Sequence, residues 1–268
     1  MTQATGYEPL NTLKPLAEGI WLVDGPAIRS YGFPFSTRAT VVRLENGDLW
    51  VHSPTRITEG LCGELDAIGP VAHLIAPNAL HFAHLGDWQE RYPRATAWAA
   101  PGVVERAARN GLTLAVERKL RPDRAEAPWK GQLEQLIVAG SKTHREAVFF
   151  HKASRTLILT DLIENIETAR IAARFRPFVW LNGIDDTDGK MPLILRWGFR
   201  DKEALADSVE AMIGWAPERI VLAHGRCYLR DGVGELERAF RRLLRVRKWD
   251  RVIGQAKKKE ARARQERR

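Results

Sequence analysis

The chain opens on short apolar runs rich in β-branched residues and separated by turn signals. The first clear run, residues 19–24, predicts a strand. Residues 40–44 and 48–52 predict two more. Glu45-Asn46-Gly47 between them predicts a hairpin, because Asn-Gly accepts the positive φ angles of a tight turn. Ser53-Pro54 closes the second strand, and residues 58–68 read as a helix that Gly69-Pro70 stops. Strand and helix then alternate: a strand over 71–76, a helix over 80–91, a short strand over 95–99, and a helix from Pro101-Gly102 through Arg109. Residues 112–131 are polar with two prolines and read as loop. Three close-set strands follow at 133–138, 147–151 and 156–160. The pattern is helical over 164–212, broken by an oxygen-rich turn at 182–189 that lacks the spacing of a calcium loop. A last strand over 219–223 precedes a helix over 234–249.

Hairpins first, then helices, then more strand and helix predict an α/β fold of two packed sheets with helices outside, a four-layer αββα sandwich with a helical insertion. We expect one domain over 1–249 and a basic tail over 250–268. The chain is 44% hydrophobic and 28% charged, which describes a globular protein and excludes a disordered one. No apolar run approaches the roughly 18 residues of a membrane span, and the N-terminus lacks the pattern of a secretory signal. Cys62 and Cys227 make no disulfide framework, so a reduced, cytoplasmic setting is the expectation. The net charge of +9 suggests a nucleic-acid partner until it is located. Residues 241–268 hold 13 Lys/Arg and 3 Asp/Glu, which leaves the other 240 residues at −1. The excess belongs to the tail and says little about the ligand of the domain.

Candidate chemistry lies in where the histidines fall. His52 ends a strand, His81 and His84 follow the strand over 71–76, and His144 immediately precedes another. Asp161 ends the strand over 156–160, and His224 ends the last. Side chains at strand ends are placed to converge, since ligand sites form from the loops at one edge of a layered α/β fold. His81 and His84, three apart, would face one point from a single helical turn. Imidazole and carboxylate together suit zinc, iron or manganese. His73 and His151 read as structural, and Cys227, three residues after His224, as a buried thiol, with a metal-bound thiolate as the alternative. Trp88, Trp98, Trp129, Trp180, Trp197 and Trp215 are widely spaced and read as packing residues. Arg174, Arg176 and Arg196 read as exposed helix charge, with the holding of an anionic substrate as the alternative.

These segments resemble the metallo-β-lactamase superfamily, and more narrowly an uncharacterised branch of it, over roughly residues 19–228. Residues 40–54 resemble the opening hairpin, where the family usually ends its strand in Asp-Thr-Gly. Residues 74–88 resemble the segment that carries the family's His-x-His-x-Asp-His motif. Residues 140–161 resemble the segment with a ligand His and a bridging Asp, and Val221-Leu222-Ala223-His224-Gly225 the one with the last ligand His. His144, Asp161 and His224 transfer residue by residue. The first motif does not: the chain reads Pro77-Asn78-Ala79-Leu80-His81-Phe82-Ala83-His84, so that His81, His84 or Asp87 would have to substitute. The opening Asp is replaced as well, by His52.

The resemblance implies a metallo-β-lactamase-like sandwich. It also implies a metal-dependent hydrolase with His81, His84, His144, Asp161 and His224 as ligands. Asp161 and His52 are then the catalytic candidates, a divalent metal the cofactor (zinc before iron or manganese), and the substrate an unidentified small molecule. The alternative is a metal-free, catalytically inactive binding module on the same fold. Nucleic acid is a partner only through the basic tail, and no membrane is implied.

Overall fold

The computed structural model of the chain describes residues 8–30 and 32–265. Residues 1–7, read above for a signal, and 266–268, the end of the expected tail, lie outside the described residues. Strands β1 (Lys14–Ala17), β2 (Ile20–Ser30), β3 (Phe33–Arg43) and β4 (Leu49–His52) form an antiparallel meander in which Ile20 pairs with Val42 and Val42 with Trp50. Helix α1 (Glu59–Ile68), N-capped by the Thr58 hydroxyl accepting the Leu61 N–H, returns the chain to β5 (Val71–Ala76), parallel to β4. Helix α2 (Leu85–Arg91), β6 (Thr96–Ala99), α3 (Val103–Arg109) and β7 (Arg118–Lys119) complete a seven-stranded sheet ordered as in the sequence.

The second sheet comprises β8 (Leu133–Ile137), β9 (Ala147–His151), β10 (Thr156–Ile158) and β11 (Arg219–Val221), with β11 parallel to β10. Helices α4 (Arg176–Asn182), α5 (Leu193–Gly198) and α6 (Lys202–Gly214) lie between β10 and β11 in sequence. Helices α7 (Gly232–Ala239) and α8 (Arg241–Gln265) follow. None of the helices described is long and apolar enough to cross a membrane.

Alternation along β9 makes the layers explicit, because successive side chains leave a strand on opposite faces. Ala147 and Phe149 join the core shared with Trp50, Trp129 and the α1 residues Leu61 and Leu65. Val148 and Phe150 join a second core with Val209 and Met212 of α6 and Leu236 of α7. The expected helix–sheet–sheet–helix order is present.

Three elements differ from the expectation. First, the helix expected from residue 80 starts only at Leu85. Asn78 Oδ1 accepts the N–H groups of Leu80 and His81, and this local side-chain bonding holds residues 78–84 in turns. Second, the β2–β3 hairpin is far longer than its apolar core, reaching Ser30 and Phe33 through a bulge between Gly25 and Ile28. Third, the helix expected over 234–249 is two helices meeting at Phe240, and the second continues without a break past residue 250.

Candidate metal centre

The parallel register of β10 and β11 pairs Ile158 with Val221. Three residues further along each strand, Asp161 and His224 therefore emerge together at one edge of the sheet. Asp161 is buried and central: His81 Nε2 lies 3.1 Å and His224 Nε2 3.2 Å from its Oδ1, while Asn78 Nδ2 donates to its Oδ2 at 2.7 Å. The three ligand atoms of His81, Asp161 and His224 lie within 4.8 Å of one another. A second group, His144, Glu146 and Asp161, meets the same limit and shares the same carboxylate.

Each component is held from behind. Strand β4 ends at His52, and Ser53 turns the chain in the left-handed region (φ 53°), a conformation that costs a non-glycine residue about 1–3 kcal/mol and recurs at functional sites. That turn puts Ser53 Oγ 2.7 Å from His81 Nδ1. On the other side, His224 Nδ1 donates to the Ser36 carbonyl at 2.6 Å. Glu146, fully buried, accepts the N–H of Thr160 (2.7 Å), Asp161 (2.9 Å) and Leu162 (3.0 Å), clamping the turn that presents Asp161. The loop after β11 is fixed from the first sheet. Buried Asp24 takes Lys14 and Arg38, and Arg38 also donates to the carbonyls of Leu222 (2.5 Å) and Gly225 (2.9 Å), on either side of His224.

The sequence-predicted residues divide accordingly. His81, Asp161 and His224 converge, with His144 adjacent but engaged by Glu146, its Nε2 lying 3.3 Å from Glu146 Oε2. His84 does not join them. With no helix over 78–84 to align it with His81, it heads α2 with Nδ1 3.5 Å from Asp87, partly buried. His52 packs between Trp50 and Phe149, and its buried Nε2 has no partner among the described groups. Cys227 is buried against Arg38, as a structural thiol would be. His151 bonds Ser154 and His73 packs on Trp98 and Trp129. Asp188 of the oxygen-rich turn is taken by Lys190, Arg238 and Arg241. Trp180 and Trp197 are exposed at 56% and 73% and so lie outside the core. Asn78, Ser36, Ser53, Glu146 and Glu164 were missed.

Electrostatics sharpen the picture. Burial lowers the affinity of His81 for a proton, but the Asp161 carboxylate, assisted by Glu146, carries its pKa above the ordinary 6.5. Burial likewise opposes charge on Asp161, yet the His81 and His224 imidazoles hold its carboxyl well below the usual range. Burial pushes Glu164, nearby, up to about 8. The Ser36 carbonyl can only accept, so Nδ1 of His224 carries a proton. In the neutral ring its Nε2 lone pair then meets the Asp161 carboxylate, two acceptors facing each other. A metal ion between them relieves this. Two imidazoles and one carboxylate, with each ring's second nitrogen tied to a protein oxygen, are a donor set that fits zinc, iron or manganese.

A family described as a domain of unknown function (DUF4336) matches residues 20–186, more than half of the chain. The chain belongs to the DUF4336 family. No curated protein matches it. Solved structures do match this DUF4336 protein over most of its length. The metallo-β-lactamase DIM-1 is 13% identical with a TM-score of 0.59, covering 85% of this chain and 93% of that one. A metallo-β-lactamase from Hirschia baltica is 14% identical with a TM-score of 0.58, covering 85% and 94%. The metallo-β-lactamase FIM-1 from Pseudomonas aeruginosa, in a mono-zinc form, is 13% identical with a TM-score of 0.59, covering 88% and 95%. At such identities the likeness shows the fold, and the fold of the DUF4336 protein is the metallo-β-lactamase fold.

Proposed function

We propose that this DUF4336 protein is a metal-dependent hydrolase whose His81, Asp161 and His224 hold one divalent ion, zinc before iron or manganese. The observation that carries the reading is the approach of two imidazole Nε2 atoms, with their Nδ1 atoms already engaged, to a single carboxylate oxygen. Bound there, a divalent ion supplies Lewis acidity that brings water within reach of ionisation near neutral pH. The chain's own residues do the rest. Ser53 and Ser36 orient the imidazoles, Glu146 fixes the Asp161 turn, and Asn78 holds the second carboxylate oxygen in place. His144 completes the polar surround, while His52 packs as a neutral ring and takes no part in ligation.

A second reading, a metal-free binding module, draws on the same carboxylate: with His81, His224 and Asn78, Asp161 already has partners on both oxygens. Chelator treatment followed by reloading with zinc, iron or manganese separates the two. A hydrolase regains turnover of a chromogenic ester with metal and loses about a hundredfold in Asp161→Asn, the scale of about 3 kcal/mol at the transition state. Turnover indifferent to both metal and Asp161→Asn would contradict the proposal.

A further inference from the structure

The centre opens into a cavity of about 620 Å³, a size that buries most of a small organic ligand. His81, Asp161 and His224 all line it, which puts the whole centre on its wall. Its walls are apolar: Phe33 and Phe35 of β3, Phe175 and Phe178 at α4, Ile184, and Leu195 of α5. Among the described residues no lysine or arginine lines it. Besides Asp161 its ionisable wall groups are His81, His224 and Glu164, and Glu164 is buried with an oxygen that has no hydrogen-bond partner. The arginines lie elsewhere. Arg29, Arg170 and Arg174 line a second cavity that reaches His224 but neither His81 nor Asp161.

An anion entering the first cavity would leave water for aromatic walls and a second carboxyl, with no lysine or arginine of the lining to pair it. An unpaired buried charge costs several kcal/mol. A divalent ion held by His81, Asp161 and His224 would offset this only in part, since the Asp161 carboxylate already takes up half of its charge and Glu146 lies against Asp161. We propose that the substrate is an uncharged ester with an apolar or aromatic body, held between the β2–β3 hairpin and helices α4 and α5, and that phosphodiesters and other anions are excluded. This rests on reading the centre as a hydrolase, and its test does not depend on turnover.

N-phenyl-1-naphthylamine, an uncharged fluorophore, serves as the binding probe on the full chain. Phenyl benzoate and diphenyl phosphate, similar in size and differing in charge, serve as competitors. The expected result is saturable probe binding, displaced by phenyl benzoate at a concentration at least about tenfold lower than by diphenyl phosphate, a difference of 1.4 kcal/mol. Ala83→Trp, which fills an exposed position of the lining, should weaken probe and ester about tenfold with metal content and melting temperature unchanged. Displacement by diphenyl phosphate at equal or lower concentration overturns the proposal, and so does an Ala83→Trp variant that binds the probe like the wild type. A protein that selects the ester but takes up no metal keeps the pocket assignment and refutes the hydrolase. One that takes up metal but prefers the phosphate does the reverse.

Discussion

His52 and His81 lie close enough to feel one another's charge, yet their surroundings drive their pKa values in opposite directions. His81 faces a carboxylate and is raised. His52, between two aromatic rings, is pushed down to about 3, first by burial and then by His81. The consequence for stability follows from proton counting. Below pH 6.5 the unfolded chain takes up a proton that the folded His52 refuses, so stability present at neutral pH is lost as the pH falls toward 3. Between pH 7 and 5 this amounts to roughly 2 kcal/mol. Chemical denaturation of His52→Phe, compared with wild type at both pH values, should show that loss reduced by about this amount; parallel pH profiles would place His52 in contact with water. Gly225 is the other sensitive residue. Its φ of +85° and the Asn165 carbonyl against it leave no room for a Cβ. Gly225→Ala should therefore lower stability by about 2 kcal/mol or more and displace the neighbouring His224, read as a lowered denaturation midpoint.

At the scale of elements, the site is a property of turns. Glu146, just before β9, satisfies three N–H groups of the turn after β10. Glu146→Gln keeps the shape but puts an amide donor against backbone donors. The denaturation midpoint should fall by the equivalent of about 2–3 kcal/mol, with metal retention reduced; an unchanged midpoint would mean that the clamp is dispensable. What the sequence made legible divides along the same line. Asp161 and His224 could be picked out because each stands directly after an apolar β-strand. Ser36, Ser53 and Asn78 could not, because a carbonyl, a hydroxyl and an amide gain meaning only from what the fold puts beside them. The β2–β3 hairpin that walls the cavity was half hidden, since Gly25, Pro26, Gly32 and Pro34 interrupt the β pattern while a bulge absorbs the irregularity. His84 failed for a local reason: Asn78 diverts the backbone into turns where a helix would have aligned it with His81.

Across the whole molecule, the layered fold was readable because the period-two strands and the helices between them agree on one architecture, and the metallo-β-lactamase likeness bears that out. The charge is separable from it. Helix α8 carries the basic excess past residue 250, and among the described residues beyond Trp249 the ion pair with the body is an exposed one, Arg251 to Glu210. We infer that any affinity for nucleic acid belongs to this segment. Ending the chain after Trp249 should change stability by less than about 1 kcal/mol while abolishing salt-sensitive RNA or DNA binding; binding that survives would place it on the domain.

The central claim is that His81, Asp161 and His224 form a metal centre, and elemental analysis tests it most directly. Protein purified without a metal-binding tag is compared with the His81→Ala/His224→Ala double variant. We predict about one equivalent of zinc, iron or manganese in the wild type, lost in the variant while far-ultraviolet circular dichroism is retained. Wild-type protein that holds no metal even after reconstitution, or a variant that holds as much, would contradict the account.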